Sequence, residues 1–304
     1  MSKLLQGKVA VVTGSGRGVG RGIAIALAQA GAKVVVNDLG ASLDGTSNTE
    51  QPAHEVVAEI VAMGGEAVID GGNVAIRKDA DAMIELAVKK FGRIDIVVNN
   101  AGILRDAIFH RMTEQEFDDV VAVHLKGSFN VSRAAAPYFK EQGGGSYIHM
   151  SSTSGLIGNM GQANYSAAKL GVAALSKSIA IDMHKFNVRS NAIAPFAWTR
   201  MVGSIPDETP EQKKRVEGLK KLVPERVAPF VVGLCADEAS DVTGQIFGVR
   251  NNEIFLFSQP RPIRSAHRGE GWTPESVLDT AIPMLRADFY KLDRSGDVFT
   301  WDPV

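Results

Sequence analysis

The feature that most constrains the fold is an alternation of short apolar segments with longer helical ones. Residues 8–13 (KVAVVT) are β-branched and almost entirely apolar, which is typical of a strand buried on both faces. A glycine run follows, and then a helical pattern over about 19–30 that ends at Gly31, where a helix-terminating glycine is expected. Residues 33–38 (KVVVND) predict the next strand. This order specifies a βαβ unit.

The same alternation continues to about residue 250. Five further strands are predicted, at 66–70, 94–99, 145–150, 188–194 and 245–249. Helices are predicted in the intervals, at 51–63, 77–91, 113–139, 161–185, 208–222 and 225–236. Parallel strands need crossover helices, and such crossovers are right-handed. We therefore predict an α/β fold: a doubly wound (Rossmann-like), parallel, seven-stranded sheet with helices on both faces.

No change of composition marks a domain boundary before about residue 255. Residues 1–255 are predicted to form one domain. Residues 256–304 are predicted to be a C-terminal extension packed on the same domain, because about 50 residues make a poor independent core.

Composition excludes several classes of protein. A net charge of −1 gives no electrostatic basis for binding nucleic acid or an anionic membrane. No apolar run reaches the ~18–20 residues that span a bilayer, and the N-terminus does not resemble a signal peptide. Cys235 is the only cysteine, and the six histidines lack metal-ligand spacing. We expect a cytoplasmic protein that has no metal site and acts on a small molecule.

The glycine run from Thr13 to Gly20 (TGSGRGVG) lies between the first strand and the first helix. At this point a doubly wound fold binds a pyrophosphate through backbone N–H groups and the helix dipole, and glycines let the phosphates approach the backbone. A plain tight turn also needs glycine, but the placement after a buried strand favours cofactor binding. The predicted contacts are Gly14, Ser15, Gly16, Arg17, Gly18, Val19 and Gly20.

Asp38 ends the second strand and bears on the choice of cofactor. A carboxylate there accepts hydrogen bonds from the ribose hydroxyls and repels the 2′-phosphate of NADP, so NAD is favoured over NADP. Arg17 argues in the other direction, since a basic side chain could meet that phosphate. An Asx turn before Gly40 is the structural alternative for Asp38.

Tyr165 and Lys169 are four residues apart in a strongly helical segment, and so they share one helix face. A nearby ammonium favours the phenolate, which would lower the tyrosine pKa from ~10 and suit Tyr165 to exchange an alcohol proton. The spacing alone arises often by chance. Ser152, 13 residues earlier and just past a predicted strand, could hold the substrate oxygen, or it could simply cap a turn.

Four motifs, in their order and spacing, resemble those of the short-chain dehydrogenase/reductases: Thr13-Gly14-x-x-x-Gly18-x-Gly20, Asn99-Asn100-Ala101-Gly102, Ser152 and Tyr165-x-x-x-Lys169. The resemblance covers about residues 5–250. It implies that Ser152 holds the substrate oxygen and Tyr165 moves the proton. It also implies that Lys169 bonds the nicotinamide ribose.

The resemblance implies further cofactor contacts outside the glycine run. Asn99, Ala101 and Gly102 would support the cofactor and the central sheet. Asn73 and Val74 would contact the adenine, although an aspartate is more usual than Asn73. The nicotinamide carboxamide would be held by Pro195 and Thr199.

Two positions depart from the family pattern. His124 stands where the family usually has an asparagine that joins a proton relay to the lysine. A histidine donates and accepts hydrogen bonds, so the relay can continue through His124, and a packed helix histidine is the alternative. Phe196 follows Pro195 in place of the usual glycine, so we expect a differently shaped nicotinamide loop.

A narrower resemblance is carried by residues 36–40 (VNDLG), 99–106 (NNAGILRD), 124–129 (HLKGSF) and 161–171 (GQANYSAAKLG). These segments are similar to the (3R)-hydroxyacyl-CoA dehydrogenase domain of peroxisomal multifunctional enzyme type 2. The resemblance implies NAD-dependent oxidation of a 3-hydroxyacyl-CoA, with bulky or steroid side chains among the candidates. It also implies a homodimer or homotetramer.

Two alternatives remain open. One is a dehydrogenase of a free hydroxysteroid or another secondary alcohol, and the other is a catalytically silent dinucleotide-binding regulatory protein.

Four arginines are candidate contacts for CoA phosphates, with a solvated surface as the alternative: Arg250, Arg261, Arg264 and Arg268.

Overall fold

The computed structural model describes residues 3–40, 52–198 and 209–303. Within these ranges, eight strands form one sheet in the order β3-β2-β1-β4-β5-β6-β7-β8. The strands are β1 (Val9–Thr13), β2 (Lys33–Asn37), β3 (Ala67–Asp70), β4 (Ile96–Asn99), β5 (Gly145–Met150), β6 (Val188–Phe196), β7 (Ile246–Arg250) and β8 (Glu253–Leu256). Strands β1 to β7 are parallel, which confirms the predicted doubly wound sheet.

Strand β8 is an addition to the seven predicted strands. It pairs antiparallel with β7, from Arg250 opposite Glu253 to Phe247 opposite Leu256. The connection is a tight turn at Asn251, whose φ of 51° lies in the left-handed region that asparagine tolerates better than most residues. The sequence prediction ended the sheet one strand too early because it did not recognise this hairpin turn.

Nine described helices accompany strands β1 to β7: α1 (Gly18–Gln29), α2 (Pro52–Ala62), α3 (Arg77–Phe91), α4 (Glu114–Val121), α5 (Gly127–Gln142), α6 (Thr153–Leu156), α7 (Ala163–Met183), α8 (Pro210–Lys220) and α9 (Ala228–Cys235). Three short helices follow β8: α10 (Pro274–Ser276), α11 (Ile282–Leu285) and α12 (Ser295–Val298). In the part of the chain that the structure describes, no helix is long and apolar enough to cross a membrane.

The segment predicted as a helix over 113–139 is helical from Glu114 to Gln142, but it is not α-helical throughout. A π-helical turn at Ala122–Lys126 separates α4 from α5. Such a turn carries an extra residue relative to the α-helix and is frequent at functional sites. Here the inserted turn holds His124 in the protein interior, where only 2% of its surface is exposed.

Both faces of the sheet are covered, because alternate strand residues point to opposite sides. Val12 of β1 lies in one apolar cluster with Ile23 of α1. Its neighbour Val11 lies in the other cluster with Met83 of α3. All the residues of β1 are buried, as the apolar sequence of this strand predicted.

The described part of the C-terminal segment contacts the strand ends. The Phe299 ring lies 4.8 Å from the Phe196 ring and 5.2 Å from the Phe255 ring, measured between centroids. The backbone N–H of Ser295 donates to the carbonyl of Gly158 at 3.0 Å. These contacts join the segment to β6, to β8 and to the loop after α6. That residues 256–304 form an extension of one domain stays a prediction.

Candidate active site

The glycine loop packs directly on the segment after β4. Gly14 has a φ of +60°, and a Cβ there would stand 2.7 Å from Cα of Ala101. A Cβ on Gly20 would stand 2.3 Å from the carbonyl oxygen of Gly14. The Asn100 amide donates to the carbonyls of Thr13 at 3.0 Å and Gly14 at 2.9 Å. Asn100, the second residue of the Asn99-Asn100-Ala101-Gly102 motif, therefore holds this loop in place.

Two predicted contacts of the glycine loop have buried side chains. Ser15 donates its hydroxyl to the carbonyl of Val12 at 2.7 Å, and Val19 belongs to the apolar core. These two residues can offer only backbone groups to a ligand. Arg17 precedes α1 in an extended conformation without a side-chain cap on the helix, and Gly18 follows at φ +56°. The first-turn N–H groups of α1 therefore suit an anion such as a pyrophosphate.

The Asp38 carboxylate lies beside this loop. One oxygen accepts from the Gly16 N–H at 2.8 Å, and the other accepts from the Gly40 N–H at 2.8 Å. The second bond is the Asx turn that was the structural alternative, so Asp38 makes that turn and also contacts the glycine loop. A carboxylate, a glycine loop and an uncapped helix end at one sheet edge fit the adenosine half of a nicotinamide dinucleotide.

Asn73 and Val74 follow β3 at the same edge of the sheet. The Asn73 side chain accepts from the Ala75 N–H at 2.9 Å and so stabilises its own turn. The Val74 carbonyl accepts from the Asn130 amide at 2.9 Å, which ties this turn to α5. Both residues therefore lie in a fixed turn near the predicted adenine position.

The remaining predicted cofactor contacts differ in their surroundings. Asn99 is buried, and its amide donates to the Ser132 hydroxyl at 2.9 Å and lies 3.3 Å from Nδ1 of His149, so this side chain supports the sheet. Pro195 lies in β6 opposite Val249 of β7. Thr199 falls outside the described residues.

Ser152, Tyr165 and Lys169 are brought together at the carboxyl end of β5. Ser152 precedes α6, and its hydroxyl oxygen accepts from the Ser154 N–H at 3.1 Å. The Ser152 side chain also acts on Tyr165, whose pKa it lowers. The Lys169 amine donates to the carbonyl of Met150 at 2.6 Å and lies 5.5 Å from the centre of the Tyr165 ring.

The electrostatics of this group differ from the sequence expectation. Burial raises the pKa of Tyr165 to about 12, the hydrogen bond with Ser152 opposes the rise, and the charge of Asp106 adds to it. Burial also lowers the pKa of the Lys169 ammonium to about 7. The tyrosine pKa is therefore raised rather than lowered for the protein groups alone, because desolvation is the largest contribution.

The His124 ring lies edge-on to the Tyr165 ring, with centroids 5.1 Å apart. Its Nε2 is 2.8 Å from the carbonyl oxygen of Ile103, and among the described residues its buried Nδ1 has no partner. Burial, followed by the charge of Lys169, lowers the pKa of His124 well below its usual range, so the ring is neutral. A Cβ on Gly102 would stand 2.3 Å from this ring, so the motif glycine makes room for His124.

Three side chains that the sequence did not single out also shape the site. Asn164 accepts from the Tyr165 N–H at 2.7 Å and donates to the carbonyl of Arg105 at 2.8 Å. The Gln162 amide donates to the Asp106 carboxylate at 2.8 Å. These pairs join the loop after β4 to the start of α7. More than 50 residues separate the partners, so no local pattern revealed them.

The four arginines proposed as candidate CoA contacts differ in their burial. Arg250 is only 4% exposed, donates to the backbone carbonyl of Trp301 and lies 5.3 Å from the centre of that ring. It is therefore unavailable to a CoA phosphate. The other three are exposed and lie near carboxylates or a backbone carbonyl: Arg264 with Asp288 at 2.7 Å, Arg268 with Glu270 at 3.8 Å and Arg261 with the Pro260 carbonyl at 2.7 Å. Over the described ranges, no group of three or more His, Cys, Asp or Glu side chains is arranged to hold a metal ion.

Comparison with known proteins gives related sequences and structures. The chain is 43% identical over 275 residues to mouse (Mus musculus) peroxisomal multifunctional enzyme type 2, which is 90% of this chain and 36% of the mouse protein. It thus spans about a third of that relative. A hydroxyacyl-CoA dehydrogenase of Mycobacterium tuberculosis is 38% identical over 285 residues, 91% of this chain and 88% of that protein.

A solved structure of a 7α-hydroxysteroid dehydrogenase, in complex with NADH and 7-oxo glycochenodeoxycholic acid, matches with a TM-score of 0.73 and 32% identity. The match covers 82% of this chain and 95% of that one. The family model described as short chain dehydrogenase matches residues 8–209. These findings confirm the resemblance seen in the motifs. The chain belongs to the short-chain dehydrogenase family, whose oxidoreductases bind a nicotinamide cofactor on this fold.

Proposed function

We propose that the chain oxidises a secondary alcohol to a ketone with NAD, and that its substrate is a 3-hydroxyacyl-CoA, bulky or steroid side chains included. One observation carries this proposal. At the carboxyl edge of the sheet, the Ser152 side chain acts on Tyr165 and lowers its pKa, and the buried amine of Lys169 lies 5.5 Å from the tyrosine ring. The glycine loop and Asp38 lie at the same edge.

Tyr165 is the proposed acid and base. In oxidation it takes the alcohol proton, while the Ser152 hydroxyl donates to the reacting oxygen and holds it beside the phenol. Because the pKa of Lys169 is about 7, this amine can carry or release a proton near neutral pH. In its charged form it favours the phenolate, which offsets the cost of burial on the pKa of Tyr165.

The proposed exit route for the proton runs past Lys169 to His124. The His124 ring contacts the Tyr165 ring, and its Nδ1 lacks a partner among the described residues. A neutral imidazole both donates and accepts, so it can pass a proton on without holding a charge in the interior.

The first-turn N–H groups of α1 and the glycine loop are proposed to hold the pyrophosphate, and Asp38 the adenosine ribose. Lys169 is proposed to bond the nicotinamide ribose, and Pro195 and Thr199 the carboxamide. When bound, the nicotinamide accepts the hydride from the alcohol carbon or returns it. NAD is proposed over NADP because the Asp38 carboxylate, fixed by Gly16 and Gly40, would repel a 2′-phosphate.

The hydroxyacyl-CoA dehydrogenase relative supports the acyl-CoA substrate, because the two chains match over nearly their whole length. The 7α-hydroxysteroid dehydrogenase supports the second candidate, a free hydroxysteroid or another secondary alcohol. Steady-state assays of NADH formation separate the two. Turnover of a hydroxysteroid, with none of any 3-hydroxyacyl-CoA, would overturn the first candidate in favour of the second.

Tyr165→Phe tests the proton-transfer role. We expect turnover to fall by a factor of about 10²–10⁴, because the ring keeps its place but loses the exchangeable proton. NAD affinity, measured by calorimetry, should change little. Tyr290→Phe is the matched control, because Tyr290 is 89% exposed and should tolerate the change. Full turnover in Tyr165→Phe would remove the role, and no turnover in the wild type with any secondary alcohol would favour a silent dinucleotide-binding protein.

Three further statements stay predictions: the cytoplasmic location, the single domain with its extension, and the homodimer or homotetramer. Exposed apolar side chains on α5 and α7, such as Phe129 (48%) and Ile181 (68%), support an assembly through these helices.

A further inference from the structure

A series of hydrogen bonds links the loop after β4 to Ser152. It begins at Asp106, whose carboxylate accepts from the Gln162 amide at 2.8 Å. The oxygen of the same amide accepts from the Ser154 hydroxyl at 2.9 Å. The Ser154 backbone N–H in turn donates to the Ser152 hydroxyl oxygen at 3.1 Å. Three consecutive hydrogen bonds therefore connect a carboxylate at the rim to the serine beside Tyr165.

Only one assignment of donors and acceptors satisfies these three hydrogen bonds. A carboxylate only accepts, so the Gln162 NH₂ group must point to Asp106 and its oxygen must point to Ser154. The Ser154 hydroxyl gives its proton to Gln162, and its oxygen accepts from the Asn159 amide at 2.8 Å. Ser152, whose oxygen already accepts from Ser154, keeps its own proton for Tyr165 or for a substrate oxygen.

The backbone holds both ends of the chain. Ala107, next to Asp106, donates its N–H to the carbonyl of Gly161 at 2.9 Å and forms an isolated parallel bridge with Gln162. The buried Asn164 also donates to the carbonyl of Arg105. Asp106 is thus fixed on both sides, even though the residue itself lies at the exposed rim.

We propose that Asp106 and Gln162 are positioning residues which, through Ser154, set the direction of the Ser152 hydroxyl beside Tyr165. The inference rests on the proposed function, since turnover is its main readout. A second consequence follows from charge: the negative Asp106 carboxylate disfavours the phenolate and so contributes to the raised pKa of Tyr165.

Four groups act on Tyr165 from the elements packed around it. They are Lys169 on the same helix, His124 on the π-helical turn, Ser152 after β5 and Asp106 in the loop after β4. His124 is neutral, so Asp106 and Lys169 are the charged members of this set.

The charged neighbour of Asp106 in its own loop is Arg105, which pairs with Asp119 of α4 at 3.5 Å. Removing the charge of Asp106 should therefore change the electrostatic potential at Tyr165, because Arg105 is already paired with Asp119.

A double-mutant cycle of Asp106→Asn and Gln162→Glu tests the inference. Gln162→Glu places a second carboxylate next to that of Asp106 and removes their hydrogen bond. We expect kcat to fall about tenfold with KM nearly unchanged, because a misdirected Ser152 hydroxyl affects the reacting geometry. Asp106→Asn in the same chain supplies an amide that donates to Glu at position 162. The double variant restores the bond with donor and acceptor exchanged, and its kcat should return to within about threefold of the wild type.

The pH profile of oxidation gives a readout that a purely structural role would not move. Asp106→Asn should shift the acidic limb of the kcat/KM profile toward lower pH by about half a pH unit. At a fixed pH on that limb, this shift corresponds to roughly threefold faster oxidation. Gln162→Glu adds negative charge and should shift it upward. Asp118→Asn, which removes an exposed carboxylate on α4, is the matched control and should leave the limb in place.

Failure of this inference can be distinguished from failure of the proposed function. If the wild type turns over and Tyr165→Phe does not, but the effects of the two single variants simply multiply or Asp106→Asn behaves as Asp118→Asn does, this inference is wrong and the proposed function stands. If no secondary alcohol is oxidised by the wild type, the proposed function fails. The thermal unfolding midpoints of the wild type, the two single variants and the double variant then test the pairing of Asp106 with Gln162. Recovery of the midpoint in the double variant supports this pairing, and additive shifts overturn it.

Discussion

The two ends of the sheet are finished in different ways. At the β1, β2 and β4 tips, the chain turns on glycines and leaves backbone N–H groups for a ligand, with Asp38 bound to the loop. At the β6, β7 and β8 end, the chain covers the strand tips with its own aromatic side chains: Phe299 packs on Phe196 and Phe255, and Trp301 lies over Arg250. One end is open to an anion, and the other is closed by the C-terminal segment.

This difference shows which physical requirements can be read along the sequence. An anion-binding turn needs small residues at short spacing, so its signature is local. A covered strand end needs apolar side chains that meet in space, and those can come from any part of the chain. Phe196 and Phe299 are more than 100 residues apart, yet their rings are 4.8 Å apart.

The largest effect that we expect from this comparison is that of Gly20→Ala at the open end. The added methyl would meet the Gly14 carbonyl at 2.3 Å and the Asn100 amide at 2.4 Å, which requires a backbone shift in the loop. NAD affinity should fall at least a hundredfold by calorimetry, about 3 kcal/mol or more. Gly233→Ala on α9, where a Cβ meets nothing within 4 Å, is the control and should leave affinity unchanged. Normal NAD binding by Gly20→Ala would show that the loop is not tightly packed.

Phe299→Ala tests the closed end and should have an intermediate effect. Because the ring is only partly buried, we expect a loss of about 1–3 kcal/mol in the free energy of unfolding, measured by urea denaturation. NAD affinity should fall much less than in Gly20→Ala, because Phe299 packs on Phe196 and not on the glycine loop. Tyr290→Ala, in the same segment but 89% exposed, should cost less than about 0.5 kcal/mol. Equal losses in both variants would mean that the C-terminal segment does not cover the sheet.

The contrast between the ends also explains what the sequence could predict. The seven parallel strands, the glycine loop, Asp38 and the Tyr165–Lys169 pair all have local patterns, and the structure brings these residues to one edge of the sheet. The π-helical turn at His124 has no such pattern, because a single inserted residue leaves the helical periodicity of 113–139 almost unchanged.

The supporting side chains of the site had no local signal either. Asn164 and the Asp106–Gln162 pair act through contacts between the loop after β4 and the start of α7. Even the expected pKa of Tyr165 depended on burial, which spacing along the helix does not reveal. Spacing along the helix predicted that Tyr165 and Lys169 meet, but the surrounding protein sets their pKa values.

The smallest expected effect returns to the open end, at Asp38. Asp38→Ala removes both the charge that would repel a 2′-phosphate and the acceptor for the Gly16 and Gly40 N–H groups. The ratio of kcat/KM with NAD to that with NADP should fall about tenfold, or ~1.4 kcal/mol, by steady-state kinetics. Asp38→Asn helps to separate the two causes, because it loses the charge but keeps one of the two acceptors. If charge decides, both variants relax the preference equally; if the loop contact decides, Asp38→Asn stays close to the wild type. A wild-type preference for NADP would overturn the assignment of Asp38 and leave Arg17 as the side chain that selects the cofactor.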